Sequence, residues 1–294
     1  MRFNFYEILG SPQPFDAQRN YVTSPWFSST MLAVIRGTIA FYTLFVLLFI
    51  LIWEAVIEDD ADTYFSYFTE LTYIGICSYY WASFTQTFVY ARRLRHSPHR
   101  NPEYPLQRWP RILQLLHVML GTTIVSFPIL VTIVFWGLLA SSTVFATKFS
   151  GTFTLPEKPT LNDEFSSEAW SNLSIHALNT VWSLFEMIGT NSPPPRWAML
   201  PFMIFILGLY LGLAYVTYAT QHFYPYAFLN PAKEHSLLAG YIVGIAIAGC
   251  VVFSLAKTIM WARTKLVANK KGVDMAGTTD ETKASMESGW EQKV

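Results

Sequence analysis

The stretch Trp170-Ser-Asn-Leu-Ser-Ile-His-Ala-Leu-Asn-Thr-Val-Trp-Ser-Leu-Phe-Glu-Met187 is apolar enough to enter a membrane, yet it carries a polar stripe. Asn172, His176, Asn179 or Thr180, and Ser183 recur at three- and four-residue spacing, so they share one side of a helix. That side is excluded from lipid, because an unpaired polar group in hydrocarbon costs several kcal/mol. It must meet other helices or a wet cavity, and the rest of the chain has to supply them.

Composition agrees with a membrane setting. Of the 294 residues 52% are apolar and 14% charged, against ~25% charged in ordinary soluble domains. The formal net charge is zero, so the general basic field that nucleic-acid binding needs is missing. Cys77 and Cys250 fall inside apolar runs, which argues against a disulfide framework or a zinc site. No metal and no cofactor is expected.

Six apolar segments lie near or above the ~20 residues that span hydrocarbon: about 31–57, 64–91, 112–144, 170–188, 199–221 and 237–266. An all-α, polytopic six-helix bundle follows, with Phe127-Pro128 as a kink in the third span. Arg92, Arg93, Arg95, Arg100, Arg108 and Arg111 crowd the loop after the second span, and the tail is rich in lysine. By the positive-inside rule both belong in the cytoplasm, which puts both termini inside. Residues 1–30 are then a cytoplasmic segment, 31–266 the membrane domain, and 267–294 a polar tail expected to be disordered. Lys148 to Glu168 reads as an outer loop. The endoplasmic reticulum and the plasma membrane both accommodate this topology.

Topology brings polar groups to one outer layer. Thr69 lies about five residues into the second span and His176 about six into the fourth, so at ~1.5 Å per residue they share a depth. Thr72 and Tyr73 continue the stripe of the second span; Tyr218, Gln221 and His222 close the fifth. With Asn172, Asn179 and Thr180 these residues suggest a cavity of hydroxyls, amides and aromatics that suits a lipid. The plainer reading is interhelical hydrogen bonding, the usual work of such residues in membrane bundles. His176 is a stronger candidate than its neighbours, because ionisable groups in a membrane are costly, and Glu70 is open to both readings. Glu186 can pair with Arg36 or Lys257 and reads as structural. The chain has no Gly-rich phosphate loop, no His-Glu-x-x-His helix and no Gly-x-Ser-x-Gly elbow.

The residues Trp170-x-Asn172-x-x-x-His176 with Glu186, Tyr67-Phe68-Thr69, and Phe127-Pro128 with Trp136 carry a resemblance. The chain resembles the androgen-induced and androgen-dependent integral-membrane threonine hydrolases, which cleave fatty acid esters of hydroxy fatty acids, and looks like a distant, fungal-type relative. Six-span proteins of the rolling-stone type are similar as well. The resemblance implies that Thr69 attacks the ester carbonyl and that His176 takes its proton and returns it to the leaving alcohol. The substrate would be a fatty ester. The alternative is a non-catalytic membrane protein that binds or moves lipid, or scaffolds a partner.

Overall fold

The structure is a computed structural model and describes residues 4–97, 102–139, 170 and 172–291. The expected outer loop Lys148 to Glu168 and the end of the third span lie outside these residues. Among the described residues all regular structure is helical, with no strand. We label the longer helices α1 (Ser29–Trp53), α2 (Phe68–His96), α3 (Arg111–Ile124), α4 (Phe127–Val134), α5 (Asn179–Gly189), α6 (Leu200–Gln221) and α7 (Leu237–Glu291). Wide π turns extend α1 over Glu54–Glu58 and α4 over Phe135–Leu139, and another, Ser174–Leu178, leads into α5.

Four of these helical stretches are long and apolar enough to cross a membrane: Ser29–Ile57, Arg111–Leu139, Trp197–Gln221 and Leu237–Asn269. α2 is long enough at 29 residues but carries too many polar groups to join them. Much of that polarity points inward, because Thr69, Glu70, Thr72, Ser83, Gln86 and Thr87 are all buried.

Local chemistry sets the helix limits. The Ser28 side chain accepts from the Met31 amide at 3.2 Å and starts α1. Arg93, Arg95 and His96 occupy the last turn of α2, where cations complement the exposed carbonyls. α3 and α4 are one apolar run broken at Val125–Ser126. Pro128 has no amide to donate to that turn and restarts the helix in its own first turn. α7 runs on in the backbone to Glu291, through most of the tail expected to be disordered; no proline lies there to stop it.

A buried ion pair ties the bundle together. Arg36 on α1 meets Glu186 on α5 at 2.5 Å, and the two side chains are 0% and 1% exposed. Tyr79 of α2 donates to the same carboxylate oxygen at 2.7 Å, and Ser192 does so at 2.8 Å. Arg36 also donates to Thr87 Oγ1 and to the Tyr21 carbonyl, each at 2.7 Å. Next to the pair α1 and α2 touch closely: a Cβ on Gly37 would lie 3.0 Å from the Phe84 ring, so any larger residue there would make that ring shift.

The segment before α1 is part of the core. Phe15 and Val22 are buried, and the Asp16 carboxylate accepts from the amides of Asn20 (2.8 Å) and Tyr21 (3.1 Å) and from the Tyr104 hydroxyl (2.7 Å). Gln107 reaches back to the carbonyls of Phe15 and Asp16. A polar, proline-broken stretch is therefore fastened by side chains from the turn between α2 and α3.

Two outcomes follow. Arg36→Ala leaves Glu186 buried without its counter-charge and should cost about 3 to 5 kcal/mol, read as a lowered melting midpoint in detergent. Burial, more than the opposing Tyr104 bond, pushes the Asp16 carboxyl above its ordinary value. Asp16 therefore favours the fold most at acid pH and loses that contribution as pH rises through its folded value. Asp16→Asn should remove this fall in stability above about pH 4 in unfolding measured against pH.

Candidate functional site

Thr69 sits in the first turn of α2, one residue after the helix begins at Phe68. Its neighbourhood is an apolar cavity of about 210 Å³ between α2, α4, α6 and α7, whose walls include Leu130, Phe135, Leu207, Tyr226 and Phe228. The Thr69 hydroxyl lies 3.5 Å from the Tyr226 hydroxyl, a long contact at the limit of a hydrogen bond. Burial pushes the Tyr226 phenol above its ordinary value, so it stays protonated and able to donate.

The polar end of this cavity is built by aromatics and by the short turn ahead of α2. Tyr226 stacks on Phe228, with ring centroids 5.2 Å apart and planes 3° apart, and meets Tyr67 edge-on at 5.9 Å. Tyr210 donates to the Ser66 carbonyl and Thr217 to the Ser66 hydroxyl, both at 3.1 Å. These bonds fix α6 against the entry of α2 and hold Tyr210 and Tyr226 beside Thr69. The chamber thus pairs an apolar volume with two hydroxyls at one end.

His176 is buried in the π turn before α5, and its ring stacks on Phe135 with centroids 3.7 Å apart and planes 11° apart. Phe135 also walls the Thr69 cavity, which His176 does not line. One phenyl ring is therefore shared by the two expected catalytic residues. The Thr69 hydroxyl pairs with Tyr226 rather than with the imidazole.

The other expected site residues are spread over several tasks, and none of them lines this cavity. Thr132 of α4 lies 2.5 Å from the His176 carbonyl, 3.1 Å from Asn179 Oδ1 and 2.8 Å from the Thr180 hydroxyl. Asn179 and Thr180 thus knit α5 to α4. Asn172 is buried one turn before His176. Thr72 and Tyr73 are buried on α2, with hydroxyls that have no hydrogen-bond partner among the described residues. Tyr218 is 43% exposed and stacks on Tyr224 at 4.1 Å. Gln221 donates to the Asp62 carbonyl, and His222 ends α6 with a left-handed backbone, φ 62°. Among the described residues no group of three or more metal-ligating side chains comes together.

Tyr226 and Phe135 are the site residues that sequence reasoning passed over, whereas Tyr210 falls on the polar stripe of the fifth span. The run Phe223-Tyr-Pro-Tyr-Ala-Phe228 held the signal, because alternating aromatics after a polar helix end are suited to wall a chamber. No known protein family, no curated protein and no solved structure matches this chain.

Phe135→Ala should cost about 3 to 5 kcal/mol in unfolding and open the Thr69 cavity toward His176. Peptide mapping after treatment with diethyl pyrocarbonate would then find His176 modified faster than in the parent protein.

Proposed function

We propose that this chain is an integral membrane protein of six spans, with both termini in the cytoplasm, that holds the acyl part of a lipid in the Thr69 cavity. It would reside in the endoplasmic reticulum or the plasma membrane. The observation behind this reading is a chamber whose walls are almost wholly apolar and whose end carries the Thr69 and Tyr226 hydroxyls. An alkyl chain gains by leaving water for such walls, while an ester or carboxyl oxygen accepts from the hydroxyls.

A second reading is ester hydrolysis, in which Thr69 is the nucleophile and His176 the base. It is supported by Thr69 at the polar end of the chamber and by His176 behind the ring that walls it. A threonine hydroxyl is a weak nucleophile until a base takes its proton, so this reaction requires the Phe135 ring to turn aside or a water to bridge. The substrate class is a fatty ester, including fatty acid esters of hydroxy fatty acids.

One experiment separates the two readings. The purified, delipidated protein is given a fatty acid ester of a hydroxy fatty acid, and retained lipid and released fatty acid are both measured. Gly208→Phe fills the cavity from a helix position where an added Cβ meets nothing within 4 Å. It should weaken retention at least tenfold with the fold intact. Retention unchanged by this variant would remove the cavity from the account. Fatty acid released by the parent protein, but not by Thr69→Ala or His176→Ala, would select hydrolysis; retention without release would select binding.

A further inference from the structure

A second cavity, of about 450 Å³, lies where the segment before α1 and the Pro193–Pro195 turn cover the Glu186 cluster. Its lining includes Ala17, Asn20, Tyr79, Glu186, Ser192 and Arg196. At about 30 Å³ per water it has room for roughly fifteen, far more than one bridging water needs.

Glu186 is only half used by the protein. One carboxylate oxygen, Oε1, takes the bonds from Arg36, Tyr79 and Ser192, whereas Oε2 is buried and has no partner among the described residues. A buried carboxylate oxygen is seldom left without a donor. Tyr79 and Ser192, whose protons are committed to Oε1, present lone pairs beside it. At the rim the exposed Arg196 guanidinium has no hydrogen-bond or ion-pair partner among the described residues, and its stem passes close to Gly10.

The charges around this space narrow the chemistry of an occupant. Arg36, Arg196 and Arg263 stand against Glu186 and Asp16, with the Arg263 guanidinium held by the carbonyls of Met187, Thr190 and Ser192. Arg19 beside Asp16 and Lys257 on the Pro195 carbonyl add to these, so among the described residues five cations stand against two carboxylates. The surroundings therefore disfavour an ammonium and favour a group that combines hydroxyl donors with an anion. Arginine's planar fork matches phosphate oxygens in pairs.

We propose that this cavity binds a phosphorylated polyol, free or as a lipid headgroup, with a hydroxyl donating to Glu186 Oε2 and the phosphate held by Arg196 at the mouth. The site stands apart from the Thr69 cavity and does not depend on the lipid reading of that cavity.

The test is titration of the purified full chain with sn-glycerol 3-phosphate and, separately, with nanodiscs of phosphatidylglycerol. Glycerol, inorganic phosphate and phosphatidylcholine nanodiscs are the controls. At least one of the two polyol phosphates should bind saturably, with affinity at least tenfold lower in Arg196→Gln and in Ala17→Trp. Both positions are exposed, so neither variant should disturb folding. Binding of the soluble compound identifies a free metabolite, and binding of the lipid alone identifies a headgroup. The proposal is overturned if neither compound binds, if either variant binds as the parent does, or if inorganic phosphate binds as tightly as the polyol phosphates.

Discussion

The buried pair of Arg36 and Glu186 is the constraint on which the arrangement of helices depends. Desolvating two charges is costly, and the attraction between them offsets that cost only when the remaining donors and acceptors are also met. Here the partners come from beyond the two helices that carry the charges: Tyr79 and Thr87 from α2, the Tyr21 carbonyl from the leading segment, and Ser192 from the turn after α5. Each bond fixes the depth and rotation of the element that supplies it. Greasy helices alone would slide past one another with little penalty, whereas this cluster admits one register.

The turn after α5 is held by cations in the same way. Arg263 of α7 donates to three carbonyls around it, and Lys257 donates to the Pro195 carbonyl at 2.7 Å while lying 5.3 Å from the centre of the Trp197 ring. Pro193, Pro194 and Pro195 have no amide hydrogens to offer, so side chains of α7 rather than backbone bonds hold this turn. α7, which buries little else in its apolar window, is anchored here.

Much of the fold was legible, because apolar run length is a strong signal and Pro128 marks its break by chemistry that does not depend on neighbours. That Glu186 needs a cation was legible for a related reason, since an acid and a base in apolar runs need each other; of the two partners the sequence offers, Arg36 and Lys257, the structure has Arg36. The site was less so. Asn172, His176, Asn179 and Ser183 are all buried, as a polar stripe turned away from lipid requires, even though a π turn at Ser174–Leu178 interrupts the regular helix. What the stripe does not tell is which groups it meets: His176 stacks on Phe135, and Asn179 and Thr180 meet Thr132 one turn earlier on the same helical stretch as that ring. The leading segment was also hidden, because its polar residues look solvated until Gln107 and Tyr104 are seen to meet them. Nothing within residues 4 to 22 alone announces those distant partners.

The two cavities open from different levels of the bundle. Thr69 and Tyr79, one on each, are ten residues apart on α2, or ~15 Å along its axis. The turns between them carry Tyr73 and Ile76, both buried, and the ion pair lies at the lower level. Such a bundle is insulating. A solute drawn into one chamber has packed side chains ahead of it, and a proton or ion crossing from one to the other would have to part charges that fasten several helices at once. Permeation and unfolding would share a barrier.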